Sequence, residues 1–386
     1  MNENHPVGME LESLRLLDQA LARLNSGFQD LGRFENKHLD VNRIESILLE
    51  VAERMQDNFP YFHPQYAGQM MNPPHPIARL AYMLSLYINP NNHALDGGRA
   101  SSHMEKEAVA QIAGMFGWGS HLGHLTSGGT MANMEGLWVA GQLRPGQWIV
   151  ASSQAHYTHE RISKVLHLPF QSAPVDCSAR MSIPDLQRIL DTEDVGTVVA
   201  TVGTTAAGMV DPLIQILRLQ EQYHFRIHID AAYGGYFALA RNLSPATQEV
   251  FEHLSEADSL VVDPHKHGLQ PFGCGCILFK DPSVGRFYKH DSPYTYFSSD
   301  ELHLGEISLE CSHPGAAAVA LWATQKMMPL VCGGELSESI EKSRRAALAL
   351  YQKITSDSRF IVPFIPDLDI VIWAPVAPSV SEASKK

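Results

Sequence analysis

Apolar positions along this chain fall into two kinds of run, and their alternation predicts the fold. Four short, nearly continuous runs, residues 148–152, 195–202, 226–230 and 259–263, read as strands buried on both faces. A fifth, residues 274–279, follows closely. Between several of them lie stretches with apolar residues three and four apart, residues 183–191 and 213–223, which predict amphipathic helices. Strands separated by helices predict an α/β arrangement with right-handed crossovers and a mainly parallel sheet. Helices are also predicted over 315–328 and 337–355, and a last strand over 368–374 precedes a Pro/Ser/Lys-rich end. No internal repeat interrupts the pattern.

The N-terminal part differs. Residues 9–57 are polar and helical in pattern, with Leu14, Leu17, Leu21 and Leu24 forming one apolar stripe. One stripe suffices to pack on a larger body, not to build a core. Residues 58–76 are rich in proline and aromatics and predict an irregular connection. The expected organisation is a helical segment over 1–76, a large domain over 77–330 and a small C-terminal portion over 331–386.

Composition narrows the function classes. With 386 residues, 45% of them hydrophobic, the chain can bury a sizeable core. A net charge of -13 argues against nucleic acid or an anionic membrane as a general partner. No apolar run approaches the ~18–20 residues that span a bilayer. The first residues lack the basic region and apolar core of a signal peptide. Five cysteines (Cys177, Cys274, Cys276, Cys311 and Cys332) show neither a disulfide framework nor zinc spacing. The expectation is a cytoplasmic protein.

Five segments carry candidate chemistry, each at the end of a predicted strand or the start of a helix. SLVVDPHKHG (259–268) places Lys266 just beyond a buried strand, where open α/β sheets hold their ligands. RIHIDAAYGG (226–235) ends another strand in Asp230, with small residues after it that leave room for a flat ligand. An amine to form an imine and a carboxylate to keep a ring nitrogen protonated are the two groups a pyridine cofactor needs. HLTSGGTMANMEGL (124–137) offers Ser-Gly-Gly-Thr before a helix, where free N–H groups and the helix dipole would bind phosphate. Neither a Walker loop nor G-x-G-x-x-G is present. SSQAHYTHERI (152–162) contributes His156, able to stack on a planar ring; its H-x-x-H lacks the i, i+4 spacing of the common zinc helix, so no metal is expected. VATVGTTAAGMVDPL (199–213) brings Thr205 to the same end of the sheet.

In this order the five segments resemble the pyridoxal-phosphate-dependent amino acid decarboxylases of group II, which include aromatic amino acid, tyrosine and glutamate decarboxylases. The similarity runs from roughly residue 58 to residue 375. It implies an aspartate-aminotransferase-like fold (fold type I), with a helical N-terminal segment and a small C-terminal domain. Family members usually continue beyond LDIVIWAPVAP, so the resemblance implies a small domain that is either shortened or truncated. By motif, Lys266 would be the Schiff-base lysine, Asp230 the partner of the ring nitrogen and His156 the stacking residue. Gly129 and Thr130 would hold the phosphate, Thr205 would contact the ring side, Ala232 would pack beneath the ring, and His265 matches the family's site histidine.

The resemblance further implies decarboxylation of an L-amino acid to an amine and carbon dioxide in a homodimer, with residues 304–318 approaching the neighbouring site. A tyrosine on a mobile loop would supply the final proton; of Tyr288, Tyr294 and Tyr296, the last is the expected donor. The alternatives are another lyase using the same cofactor, cleaving a carbon–carbon or carbon–sulfur bond, and a cofactor-binding protein with little turnover. The substrate is not written in these motifs. His63, Gln69 and Met70 are candidates to line its pocket.

Overall fold

A computed structural model describes residues 11–31, 40–63, 65–66, 70, 72–289 and 302–383. Its centre is a seven-stranded sheet of β1 (Leu122–Thr126), β2 (Trp148–Ser152), β3 (Phe170–Ala173), β4 (Val195–Thr201), β5 (Arg226–Asp230), β6 (Ser259–Val262) and β7 (Gly275–Phe279). The strand order is β1-β7-β6-β5-β4-β2-β3. β7 runs antiparallel to both its neighbours and every other pairing is parallel, so the remaining six strands all point one way.

The continuous apolar strands behave as their composition dictates. All seven residues of β4 are buried, because helices cover both faces. Alternation along the strand sends Val198 and Ala200 into one cluster with Leu186 and Ile216, from the helices Ile183–Thr192 and Leu213–Tyr223. Val199 points the other way, to Leu137 and Ile162 of the helices Gly129–Leu143 and Thr158–Val165. Helix Gly129–Leu143 approaches the sheet closely because Gly136 lies over His228 of β5: a Cβ there would sit 2.4 Å from the imidazole. Outside these layers, helix Gly315–Met327 packs on both Pro76–Leu86 and Leu95–Met115.

Three segments differ from their sequence pattern. β1 and β3 are strands the apolar pattern does not mark. β1 carries polar residues inward: His124 donates from Nε2 to Glu135 Oε2 at 2.9 Å, and the Leu125 N–H donates to Glu105 at 2.9 Å. β3 is a four-residue edge strand in which only Ala173 is buried. Residues 368–374 do not form the predicted strand. Only Ala374–Pro375 (β9) pairs, with Phe360–Ile361 (β8). Upstream, Asp367 and Asp369 flank the buried Leu368 and turn inward to make side-chain bonds instead. The N-terminal stripe is partly used: in helix Leu11–Ser26, Leu17 is buried, whereas Leu14 is 49% exposed.

Two buried carboxylates tie β1 to its surroundings. Glu105 accepts from Asn92 Nδ2 at 2.6 Å and His313 Nε2 at 3.0 Å, in addition to Leu125 N–H. Burial alone would raise its carboxyl, but these partners hold it below its ordinary range. For His124, burial would lower the pKa; the Glu135 charge and hydrogen bond outweigh it and push it up to about 9. An ordinary histidine sits near ~6.5, so this stabilisation is fully present below that pH and is lost as pH rises through about 9. The expected loss is on the order of 3 kcal/mol. Urea midpoints between pH 6 and 10 check it, with His124→Gln expected to flatten the curve over that window.

Candidate active site

Because six strands share one direction, the chain segments leaving β1, β2, β4, β5 and β6 meet at one edge of the sheet, where open α/β folds bind ligands. A cavity of about 250 Å³ opens there. Gly129, Thr130, His156, Thr205, Asp230, Ala232, His265 and Lys266 all line it, so the structure brings these eight sequence candidates together. Tyr296 and Tyr294 lie outside the described residues. Tyr288 is buried against Trp138, apart from the cavity lining. His63 is exposed and Met70 packs on the core, neither lining the cavity; Gln69 lies outside the described residues.

Lys266 sits in the turn after β6, where its N–H donates to the Asp263 carbonyl at 2.9 Å. Its side chain is only 18% exposed, and Nζ lies 3.0 Å from Asp263 Oδ2. Asp230 is the last residue of β5, opposite Thr201 and Val261 in the neighbouring strands. Its Oδ1 accepts from the Ala232 N–H at 3.1 Å and its Oδ2 from His159 Nε2 at 2.9 Å. Burial would push this carboxyl up. The His159 hydrogen bond and charge, Lys266 and the Ala232 N–H outweigh burial and hold it well below the carboxylate range. Asp230 is therefore a buried carboxylate fixed at both oxygens.

The loop after β1 makes the other end of the cavity. Gly128, at φ +148°, turns the chain into helix Gly129–Leu143, whose first N–H groups lack partners within a helix and form an anion site with its dipole. Gly129 has to be glycine: a Cβ would come within 2.7 Å of Asp263 Oδ2. The Ser127 N–H donates to Glu310 Oε2 at 2.8 Å, which brings the 304–318 segment to the mouth of the same chain's cavity. His156 stands on the cavity wall with Nδ1 2.9 Å from the Thr158 hydroxyl, and burial lowers its pKa. His265 Nδ1 donates to the Cys274 carbonyl at 2.7 Å, fixing its ring beside the cavity.

Sequence reasoning missed three participants. Asp263 stands inside the quoted DPHKHG motif, and its place at a strand end was the available signal. His159, noticed only as half of an H-x-x-H, turns away from His156 and binds Asp230. Tyr233 lines the cavity and donates to Asp369 Oδ1 at 2.6 Å, while His267 reaches Asp369 Oδ2 at 3.3 Å. Burial would raise Asp369, but His267, Ser343 and Tyr233 hold it at about 2. No local signal announces that contact, because its partners lie more than a hundred positions apart. Among the described residues no group of three His, Cys, Asp or Glu is placed to hold a metal ion.

The chemistry of the donor set fits a phosphorylated pyridine aldehyde: an amine, a fixed carboxylate and a helix N-terminus face one cavity, and Asp263 Oδ1 is buried there without a hydrogen-bond partner. Residues 140–374 match the model of the pyridoxal-dependent decarboxylase conserved domain. The chain belongs to this family. It is an amino acid decarboxylase that depends on pyridoxal phosphate. An L-tyrosine decarboxylase from Enterococcus faecium is 28% identical over 435 residues, covering 85% of this chain and 71% of the relative. An L-aspartate decarboxylase from Thermococcus kodakarensis is 27% identical over 287 residues, 73% of this chain and 72% of the relative. The crystal structure of mouse CSAD superposes with a TM-score of 0.78 at 20% identity, covering 98% of this chain and 86% of that one. The decarboxylase thus has the α/β architecture of fold type I, and no helix among its described residues is long and apolar enough to cross a membrane.

Proposed function

We propose that this decarboxylase converts an L-amino acid to the corresponding amine and carbon dioxide, with Lys266 holding the cofactor covalently and Asp230 paired to its ring nitrogen. The observation that carries this reading is the placement of both side chains on one cavity that also receives the N-terminus of helix Gly129–Leu143. When bound, the cofactor supplies an electron sink for the pair released as the Cα–carboxylate bond breaks. Asp230, kept ionised by His159, holds a proton on the ring nitrogen and so maintains the positive charge that draws electrons. Gly129 and Thr130 would hold its phosphate at the helix N-terminus, and His156, Ala232, Thr205 and His265 would hold its ring. Lys266 would supply the amine that holds the cofactor covalently. The fixed walls of the cavity would orient the substrate's Cα–carboxylate bond for cleavage. Tyr296 is the proposed acid that returns a proton to Cα.

A homodimer is part of this reading. Helix Val41–Met55 buries none of its residues, and Ile44, Ile47, Leu48, Val51 and Met55 stand exposed on it at helical spacing. That uncovered stripe supports pairing with a second copy.

The testing experiment is an amino acid panel, aromatic, acidic and aliphatic, scored for amine and carbon dioxide with cofactor supplied. Stoichiometric release of both from one class of substrate is expected. Cofactor-dependent consumption without carbon dioxide points instead to cleavage of a different bond, and no consumption at all to a binding protein.

A further inference from the structure

Asp369 does not line the cavity, yet it joins the two loops that bring Asp230 and Lys266 to it. The loop after β5 carries Asp230 and Tyr233; the turn after β6 carries Lys266 and His267. Near the strand ends backbone bonds hold the two together, from the Ala231 N–H to the Val261 carbonyl at 3.0 Å and from the Asp263 N–H to the Ala232 carbonyl at 3.2 Å. Farther out the connection is made by side chains. The His267 ring stands between, with Nδ1 3.0 Å from the Tyr233 carbonyl and Nε2 3.3 Å from Asp369 Oδ2. The Tyr233 hydroxyl donates to Asp369 Oδ1 at 2.6 Å, and Ser343 of helix Glu335–Thr355 donates to Oδ2.

Three donors thus converge on one side chain that is 8% exposed. An amide has a single acceptor oxygen and would turn its NH₂ toward one of those donors, so the position calls for a carboxylate. The backbone there is seated tightly as well. Leu368 is fully buried, and a Cβ on Gly203 or Gly234 would come within 2.9 Å of its Cδ1.

We propose that Asp369 is a positioning residue for the cofactor site, holding the loop that carries Asp230 in register with the turn that carries Lys266. This rests on the reading that those two side chains bind the cofactor. A rigid ring bonded to an amine and paired to a carboxylate spans a fixed distance, so the loops bearing them must keep their spacing. A displacement of ~1 Å in such a site costs about 10²-fold in rate. Tyr233 transmits the constraint: its ring is part of the cavity wall, while its hydroxyl is committed to Asp369. Burial and the Asp369 charge push that hydroxyl well above the ordinary tyrosine range, so it acts as a fixed donor and not as a source of protons.

Asp367 provides the comparison. It is buried too, and it holds the same segment through Arg180, the Val210 N–H and the Thr247 hydroxyl, none of which lines the cavity. Its loss should weaken the fold and leave the two loops joined.

The test uses the full-length protein loaded with pyridoxal 5'-phosphate, at a temperature where far-UV spectra show every variant folded. Two signals are read: the visible circular dichroism per bound cofactor, which reports how the ring is held, and the rate of cofactor release on dilution. Asp369→Asn is expected to reduce the first and to raise the second about tenfold, the scale of one hydrogen bond to a charged group. Its kcat should fall about 10²-fold with KM little changed, as orientation is lost and not substrate binding. Tyr233→Phe, which keeps the ring on the wall and removes the hydroxyl, should move both signals in the same direction. Asp367→Asn should lower the urea midpoint and leave both signals as in wild type. Wild-type dichroism and release in Asp369→Asn overturn the proposal, and so do equal changes in Asp367→Asn and Asp369→Asn. If Asp369→Asn does not fold, Tyr233→Phe decides, and unchanged signals there overturn it. Borohydride reduction and peptide mapping keep the two readings apart: a wild-type adduct on another lysine removes Lys266 from its role, whereas an adduct on Lys266 with unaltered signals in Asp369→Asn removes Asp369 alone.

Discussion

Lys266→Ala is expected to lower decarboxylation by at least ~10⁴-fold, the scale on which enzymes register loss of a covalent catalytic group. Lys266 is the single lysine lining the cavity among the described residues, so no neighbouring amine stands ready to replace it. The variant is expected to fold. The side chain makes one ion pair, with Asp263, and deleting it leaves a raised carboxyl that can take a proton. The cost to stability is expected to stay within about 1–3 kcal/mol. Cofactor held only through its phosphate and ring contacts would dialyse away and would not be trapped by borohydride. Retention of both the trapped adduct and amine production in Lys266→Ala would refute the assignment.

The second large effect is expected at Asp230, where two separate losses coincide. On the proposed pairing, Asp230→Ala would remove the carboxylate that keeps the ring nitrogen charged, and kcat should fall by about 10³-fold or more. It also leaves His159 Nε2 buried without its acceptor, and stripping one partner from a buried pair costs about 3–5 kcal/mol. Activity and urea midpoint should therefore drop together. Asp230→Asn keeps an acceptor for His159 but not the charge. It should recover most of the stability and little of the activity. Equal recovery of both would show that Asp230 serves the fold rather than the cofactor.

The sequence announced those parts of the molecule whose chemistry is local. β4, β5 and β6 are buried at every residue but Arg226 because both faces are covered, and a strand-end Asp or Lys is visible as the residue where the apolar run stops. The loop at Gly128–Gly129 was legible for the same reason: small residues before a helix leave N–H groups open. β1 was not legible, since its His124 is satisfied by Glu135 eleven positions away and looks polar without that partner. Residues 368–374 misled in the opposite sense, being apolar enough for a strand while Asp367 and Asp369 commit them to side-chain bonds. His159 shows the limit most clearly. Its spacing from His156 invited a shared role, but the helix that begins at Thr158 turns it beneath the cavity toward β5.

Asp369 sets a timetable. Tyr233 and His267, one on the cavity wall and the other next to Lys266, are tied to a carboxylate 136 and 102 positions later in the chain. During synthesis, every strand of the central sheet has left the ribosome before this clasp exists. A nascent chain that ends short of residue 367 can pair β1 to β7 yet leaves Tyr233, His267 and the Arg180 guanidinium without their acidic partners. Sheet formation and completion of the pocket are therefore separable events, the second waiting on a closure of long sequence separation, which is the slow kind. Cofactor supplied during translation should be captured only after that late segment has docked.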